Sequence, residues 1–146
     1  MTHIPDFQPR LHHFGLSVAN LDETVAWYKA KLGFEDDSRY SLDFPQLQAR
    51  VAFLRHGDFG LELFEVPGSS GMPEHARQTG TDLHVQGLKH VALGVEDIDR
   101  ARAALTARGV TFVTDTAPVP GPRGERFAFF RDNNGLLIEL YQARGP

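Results

Sequence analysis

The chain has 146 residues, 41% of them hydrophobic and 23% charged, which suffices for one compact domain with its own core. A net charge of −4 without a basic stripe speaks against a nucleic-acid partner, and no apolar run approaches the roughly 18 residues of a membrane span. With no cysteine, disulfides and thiolate ligands are excluded, leaving His, Asp and Glu as the strong metal-binding side chains.

The opening Met1-Thr2-His3-Ile4-Pro5-Asp6 lacks the charged and apolar regions of a secretion signal, so a cytoplasmic location is expected. The first regular element is an alternating strand, His13-Phe14-Gly15-Leu16-Ser17-Val18. Phe14, Leu16 and Val18 form one face, and His13, Gly15 and Ser17 the other. Asn20 followed by Glu23 predicts an N-cap and capping box for a helix through Leu32. Leu21, Val25, Tyr28 and Leu32 recur at helical spacing, and Gly33 ends the run. Strands are expected at 33–42, 47–55 and 59–66, with Arg55-His56-Gly57-Asp58 as a hairpin turn. Residues 67–86 show no sustained periodicity and read as a connector. A second alternating strand, His90-Val91-Ala92-Leu93-Gly94-Val95, precedes a helix from Asp97 to Arg108 that stops at Gly109. Strands follow at 110–114, 125–131 and 136–142, the last two joined by Asp132-Asn133-Asn134-Gly135. Residues 117–124 carry three prolines and are expected to form a stiff loop, a candidate wall or lid for a pocket.

These elements are one unit written twice. A shift of 77 residues places Leu16 on Leu93, Asp22 on Asp99, Phe53 on Phe130, Leu63 on Leu140 and Phe64 on Tyr141. Each unit reads strand, helix, three strands. The organisation expected is α+β, a single domain of two repeats at 10–66 and 87–143 with a connector at 67–86.

The same offset relates the chemistry. His13 falls on His90 and Glu62 falls on Glu139. Each Glu interrupts an apolar strand, so alternation turns all four polar side chains away from the helix-packing face. The small residues Gly15, Ser17, Ala92 and Gly94 leave room beside them for a ligand. A lone strand His is more often a hydrogen-bonded structural residue, and a lone Glu more often lies on an exposed edge. Four matched positions instead favour a ligand set. Two neighbouring carboxylates repel one another, and a divalent cation relieves that cost. Imidazole with carboxylate suits Zn, Ni, Co, Mn or Fe, and four protein ligands on an octahedral ion leave two positions for water or substrate.

Other polar residues fall outside this set. His12, matched by Lys89, has the opposite parity and reads as a residue behind the ligands or on the surface. Glu65, matched by Gln142, faces away from Glu62 and reads as structural. His3, His56, His75 and His84 lie in termini or loops and read as solvated. Tyr40, Phe127, Phe129 and Arg126 are candidate pocket residues whose strand parity stays open, and Arg123 reads as a surface arginine.

The stretch from His13 through Trp27-Tyr28 to Leu32-Gly33-Phe34 is similar to the opening motif of the glyoxalases. Asp132-Asn133-Asn134-Gly135-Leu136-Leu137-Ile138-Glu139-Leu140 resembles the closing motif of the vicinal-oxygen-chelate superfamily. That superfamily includes glyoxalase I, methylmalonyl-CoA epimerase, extradiol dioxygenases, fosfomycin-resistance proteins and bleomycin-binding proteins, and the resemblance runs from about Leu11 to Gln142. It implies paired βαβββ modules whose curled mixed sheets surround a metal-centred cleft, and a homodimer whose clefts lie within one chain or across the interface. Departures narrow the reaction. Glyoxalase I proteins usually carry a glutathione-gripping Arg where this chain has Ser17. The epimerases often have Gln where this chain has Glu62, together with a mid-module acid that 46–54 lacks. Extradiol dioxygenases hold iron with two His and one carboxylate, so Glu62 is one ligand too many, and bleomycin-type binders usually lack the set.

The resemblance therefore implies a divalent-metal-dependent isomerase, epimerase or lyase acting on a small carbonyl or 2-hydroxycarbonyl compound through an enediolate-like intermediate. His13, Glu62, His90 and Glu139 would be the ligands, with Glu139, or else Glu62, as general base. An iron-dependent extradiol-type dioxygenase and a non-catalytic drug-binding protein are the alternatives.

Overall fold

A computed structural model describes residues 6–143; His3, expected to be solvated, lies outside the described residues. Two compact units make up the chain. One comprises the described residues through Val25 together with Gly33–Ser69, and the other Ala26–Leu32 together with the described residues from Ser70 onward.

In the first sequence repeat, β1 (His13–Ser17) leads into α1 (Leu21–Leu32), followed by β2 (Glu35–Phe44), β3 (Leu47–His56) and β4 (Phe59–Glu65). The sheet is open and mixed, in the order β1-β4-β3-β2, with β1 parallel to β4 and the remaining pairs antiparallel. The helical crossover is what allows β1 and β4 to run parallel. Helix entry follows the sequence signal: the Glu23 N–H donates to Asn20 Oδ1 at 3.0 Å. Glu65 adds a second cap, its Oε2 accepting from the Leu21 N–H at 2.6 Å. Leu21, Val25 and Tyr28 are buried as the spacing predicts, and Thr24 joins them. Gly33 stands just past the helix at φ 73°, a conformation glycine adopts without a Cβ clash.

The second unit repeats the plan. After the connector come β5 (Val91–Gly94), a helix at Ile98–Ala107, and strands β6 (Ala117–Pro118), β7 (Arg126–Arg131) and β8 (Leu137–Gln142), in the order β5-β8-β7-β6. The helix cap is also repeated. Asp97 accepts from the Arg100 N–H at 3.0 Å, and Gln142 Oε1 accepts from the Ile98 N–H at 2.8 Å, the place Glu65 fills in the first unit. The chain therefore has two tandem βαβββ modules in an α+β fold.

Three segments differ from expectation. Residues 110–114 form only a bridge between Phe112 and Phe130, while the short β6 falls inside the expected proline loop. Pro118 lacks an N–H, and a proline is tolerated on an edge strand such as this one. The connector also contains structure: a 3₁₀ turn at Glu74–Arg77 and the one-turn α2 (Thr79–Asp82), with the second-unit helix becoming α3. Both pieces are too short to show a period. The connector is tied by Lys89, whose Nζ donates to Asp82 Oδ1 at 3.0 Å and to the Val85 carbonyl at 2.6 Å. No described helix is long and apolar enough to cross a membrane.

A buried polar pair braces the β7–β8 turn. The Tyr28 hydroxyl donates to Asp132 Oδ2 at 2.8 Å, while Oδ1 accepts the N–H groups of Asn134 and Leu136, each at 2.8 Å. Burial pushes the Asp132 carboxyl above its ordinary 3.8, with these hydrogen bonds opposing the shift, and burial also pushes the Tyr28 phenol up. Losing the hydroxyl leaves a buried acceptor short of a donor, so Tyr28→Phe should cost about 1–3 kcal/mol in urea unfolding. The pH dependence has a definite sign. Folded Asp132 binds its proton more tightly than unfolded Asp132 does. Wild type should therefore gain stability relative to Asp132→Asn as pH falls through the raised folded pKa, with the gain complete below 3.8. Urea curves for both proteins at pH 7 and pH 4 check this, and an unchanged difference would contradict it.

Candidate metal centre

Parallel pairing of the two outer strands brings His and Glu together in each unit. In the first sheet His13 stands opposite Gly60 and Gly15 opposite Glu62, so His13 and Glu62 share a face two positions apart. In the second sheet Ala92 stands opposite Glu139 in the same way. On the parallel neighbour, Gly15 and Ala92 lie directly across from the two carboxylates, and each imidazole leans over that gap. His13 Nε2 lies 3.4 Å from Glu62 Oε2, and His90 Nε2 lies 3.1 Å from Glu139 Oε2. Two donors bonded to one cation at about 2.1 Å, with a right angle between the bonds, stand about 3 Å apart. Both pairs thus have the bite and the donor chemistry of adjacent ligands on a divalent ion.

Among the described residues, no group of three or more His, Asp or Glu side chains is assembled to hold a metal ion. The four expected ligands stand as two pairs, one in each unit. Glu139 is buried at 9% exposure, while Glu62 is half-buried.

Each imidazole rests against a phenylalanine. The ring of His13 meets that of Phe53 with centroids 5.3 Å apart, and His90 meets Phe129 at 5.2 Å, both edge to face. Phe53 stands opposite Glu62 and Phe129 opposite Glu139. The 77-residue shift that aligned Phe53 with Phe130 therefore fails on β7 by one residue. Phe130 points to the other side and is fully buried. His12, read from its parity as lying behind the ligands or on the surface, stands behind His13: its Nδ1 lies 2.7 Å from His13 Nδ1, the ring nitrogen that does not face Glu62. A group there orients the imidazole, as partners of metal-binding histidines commonly do.

The remaining candidates divide. Phe127 and Phe129 lie on the Glu139 face of their sheet. Arg126 faces the other way and makes a two-bonded ion pair with Asp99 at 2.8 and 3.0 Å, so it is no pocket residue. Glu65 is structural, capping α1 and pairing with Arg50. Arg123 is exposed and pairs with Glu125 at 3.3 Å. His56 and His84 are exposed as expected, and His75 Nε2 approaches Asp82 at 3.9 Å. The Tyr40 hydroxyl donates to Glu62 Oε1, a bond that strand alternation alone did not reveal.

A family model described as the Glyoxalase/Bleomycin resistance protein/Dioxygenase superfamily matches residues 10–140, and the chain belongs to that superfamily. It is similar to an ethylmalonyl-CoA/methylmalonyl-CoA epimerase of Cereibacter sphaeroides, 30% identical over 91% of this chain and 97% of the relative. It is also similar to a probable lactoylglutathione lyase of Vibrio parahaemolyticus, 27% identical over 91% of this chain and 90% of the relative. Among solved structures, a glyoxalase family protein from Enterococcus faecalis superposes with a TM-score of 0.75 at 26% identity, covering 90% of this chain and 96% of that one.

The bed of the first pair depends on one glycine. A Cβ on Gly60 would lie 2.5 Å from the Phe53 ring and 2.6 Å from the Leu54 carbonyl oxygen. Gly60→Ala should displace the ring that supports His13 and cost about 1–3 kcal/mol, as overpacking does. Thermal unfolding checks this, and an unchanged melting temperature would contradict so close an approach.

Proposed function

We propose that this protein is a divalent-metal-dependent epimerase, isomerase or lyase acting on a small carbonyl or 2-hydroxycarbonyl compound. His13, Glu62, His90 and Glu139 are the protein ligands on this reading, and the active form is a homodimer. The observation that carries it is the duplicated His–Glu pair, set at matching register with the bite of adjacent ligands. The epimerase and lyase relatives support the reaction class.

When bound, the cation supplies positive charge that stabilises the negative charge developing on the substrate carbonyl oxygen. The chain's own part is to move the proton. A Glu139 carboxylate oxygen accepts the proton from the carbon next to the carbonyl and returns it to the neighbouring carbon in an isomerisation; in an epimerisation the other face of that carbon takes its proton from solvent, and Glu139 releases its own to solvent. Glu139 is the more buried of the two carboxylates, at 9% exposure. Phe127 and Phe129 give its face of the sheet an apolar surface that limits water beside the reacting carbon.

The test is solvent-deuterium exchange at the carbon next to the carbonyl, followed by NMR over a panel of 2-hydroxycarbonyl compounds and 2-substituted malonyl thioesters with added divalent metal. Wild type should exchange at least one member. Glu139→Gln, which keeps the size and loses the basicity, should slow that exchange by about 10²–10⁴-fold. Undiminished exchange in the variant would remove Glu139 from the role.

A further inference from the structure

The two His–Glu pairs agree in register and differ in one contact. Both carboxylate oxygens of Glu62 are engaged, Oε2 facing His13 Nε2 at 3.4 Å and Oε1 accepting from the Tyr40 hydroxyl. Glu139 Oε2 faces His90 Nε2 at 3.1 Å, and among the described residues no hydroxyl donates to Glu139. Strand register explains the difference. Tyr40 stands opposite Val51, which stands opposite Phe64. The same row of the second sheet is Ala117, Phe127 and Tyr141. Ala117 thus occupies the place of Tyr40 and has no group to donate.

Tyr40 is on this row because of a bulge. Asp36 stands opposite Leu54 and Ser38 opposite Phe53, so Asp37 is an extra residue in β2. With unbroken register from Glu35, Arg39 would stand opposite Val51 and Tyr40 would turn to the other face. The bulge instead places a phenol beside Glu62 and sends Arg39 to Asp22, which it meets at 2.7 Å. Bulges that re-aim one side chain are a recurring feature of functional sites.

We propose that Tyr40 is a positioning residue that holds Glu62 as a fixed ligand through a single oxygen, so that Glu139 is the carboxylate free to carry the proton. This rests on the reading of the two pairs as metal ligands. With one oxygen tied to the phenol, Glu62 presents only its other oxygen to the cation. Glu139 lacks such a bond, so its carboxylate would be the one able to take the proton.

Co(II) titrations of the full chain test this, followed by calorimetry and by the visible absorption of the bound ion. Tyr40→Phe removes one hydroxyl from a part-exposed side chain and should leave the melting temperature in place. It should weaken Co(II) binding by about 10–100-fold and change the absorption band. In a Glu62→Gln background the same change should alter affinity by less than about 3-fold, because the hydroxyl acts through Glu62, whereas in a Glu139→Gln background the full loss should persist. Wild-type affinity in Tyr40→Phe, or an undiminished loss in the Glu62→Gln background, would overturn the positioning role while leaving the metal reading intact. Failure of the wild type itself to bind Co(II) would overturn both.

Discussion

Parallel pairing of an outer strand with its neighbour is the constraint on which the rest depends. In a parallel pair the side chains on one face keep step along both strands. A His near the start of β1 and a Glu within β4 therefore meet diagonally across a residue that must be small, Gly15 here. The second module repeats this with Ala92 across from Glu139. The pairing also extends past the strand ends in both modules. The Val18 N–H donates to the Phe64 carbonyl at 2.8 Å, and the Val95 N–H to the Tyr141 carbonyl at 2.9 Å. A one-residue slip in either pair would turn the Glu into the apolar layer, where Leu61, Leu63, Ile138 and Leu140 are buried, at a cost no sheet would bear.

Duplication gives the chain two similar pairs, and divergence between the copies gives them different surroundings. The supports common to both are an edge-on phenylalanine against the imidazole and a backbone cap from the end of the last strand. What differs is polar: His12 against His13 and Tyr40 on Glu62 in the first copy, with Ala117 in the place of Tyr40 in the second. On the proposed reading, a carboxylate bonded to a phenol suits a ligand, and the more buried one without that bond suits a base.

Much of this was legible in the sequence. The modules, both helix starts and the four polar positions could be read because β1, β4, β5 and β8 keep strict alternation and a constant offset. What stayed hidden involves a single residue each time. Phe127, Phe129 and Phe130 put aromatics on both faces of β7, so composition did not reveal that its register slips by one. The extra Asp37 in β2 reverses the parity of everything after it, which is why the orientation of Tyr40 could not be read from alternation. Residues 110–114 have a strand-like composition but make one bridge, because the Phe129 N–H that a strand partner would take is bonded to the Thr114 hydroxyl at 2.9 Å. The exposed β-edge therefore falls to Ala117 and Pro118.

The measurement that tests the central claim most directly is the metal content per chain, by elemental mass spectrometry on untagged protein purified without chelator and after reconstitution with Ni, Zn, Co, Mn or Fe. Two His–Glu pairs acting as one ligand set predict about one divalent ion per chain. Two ions per chain would mean that each pair binds by itself. None, even after reconstitution, would mean that the matched histidines and glutamates are not a metal site.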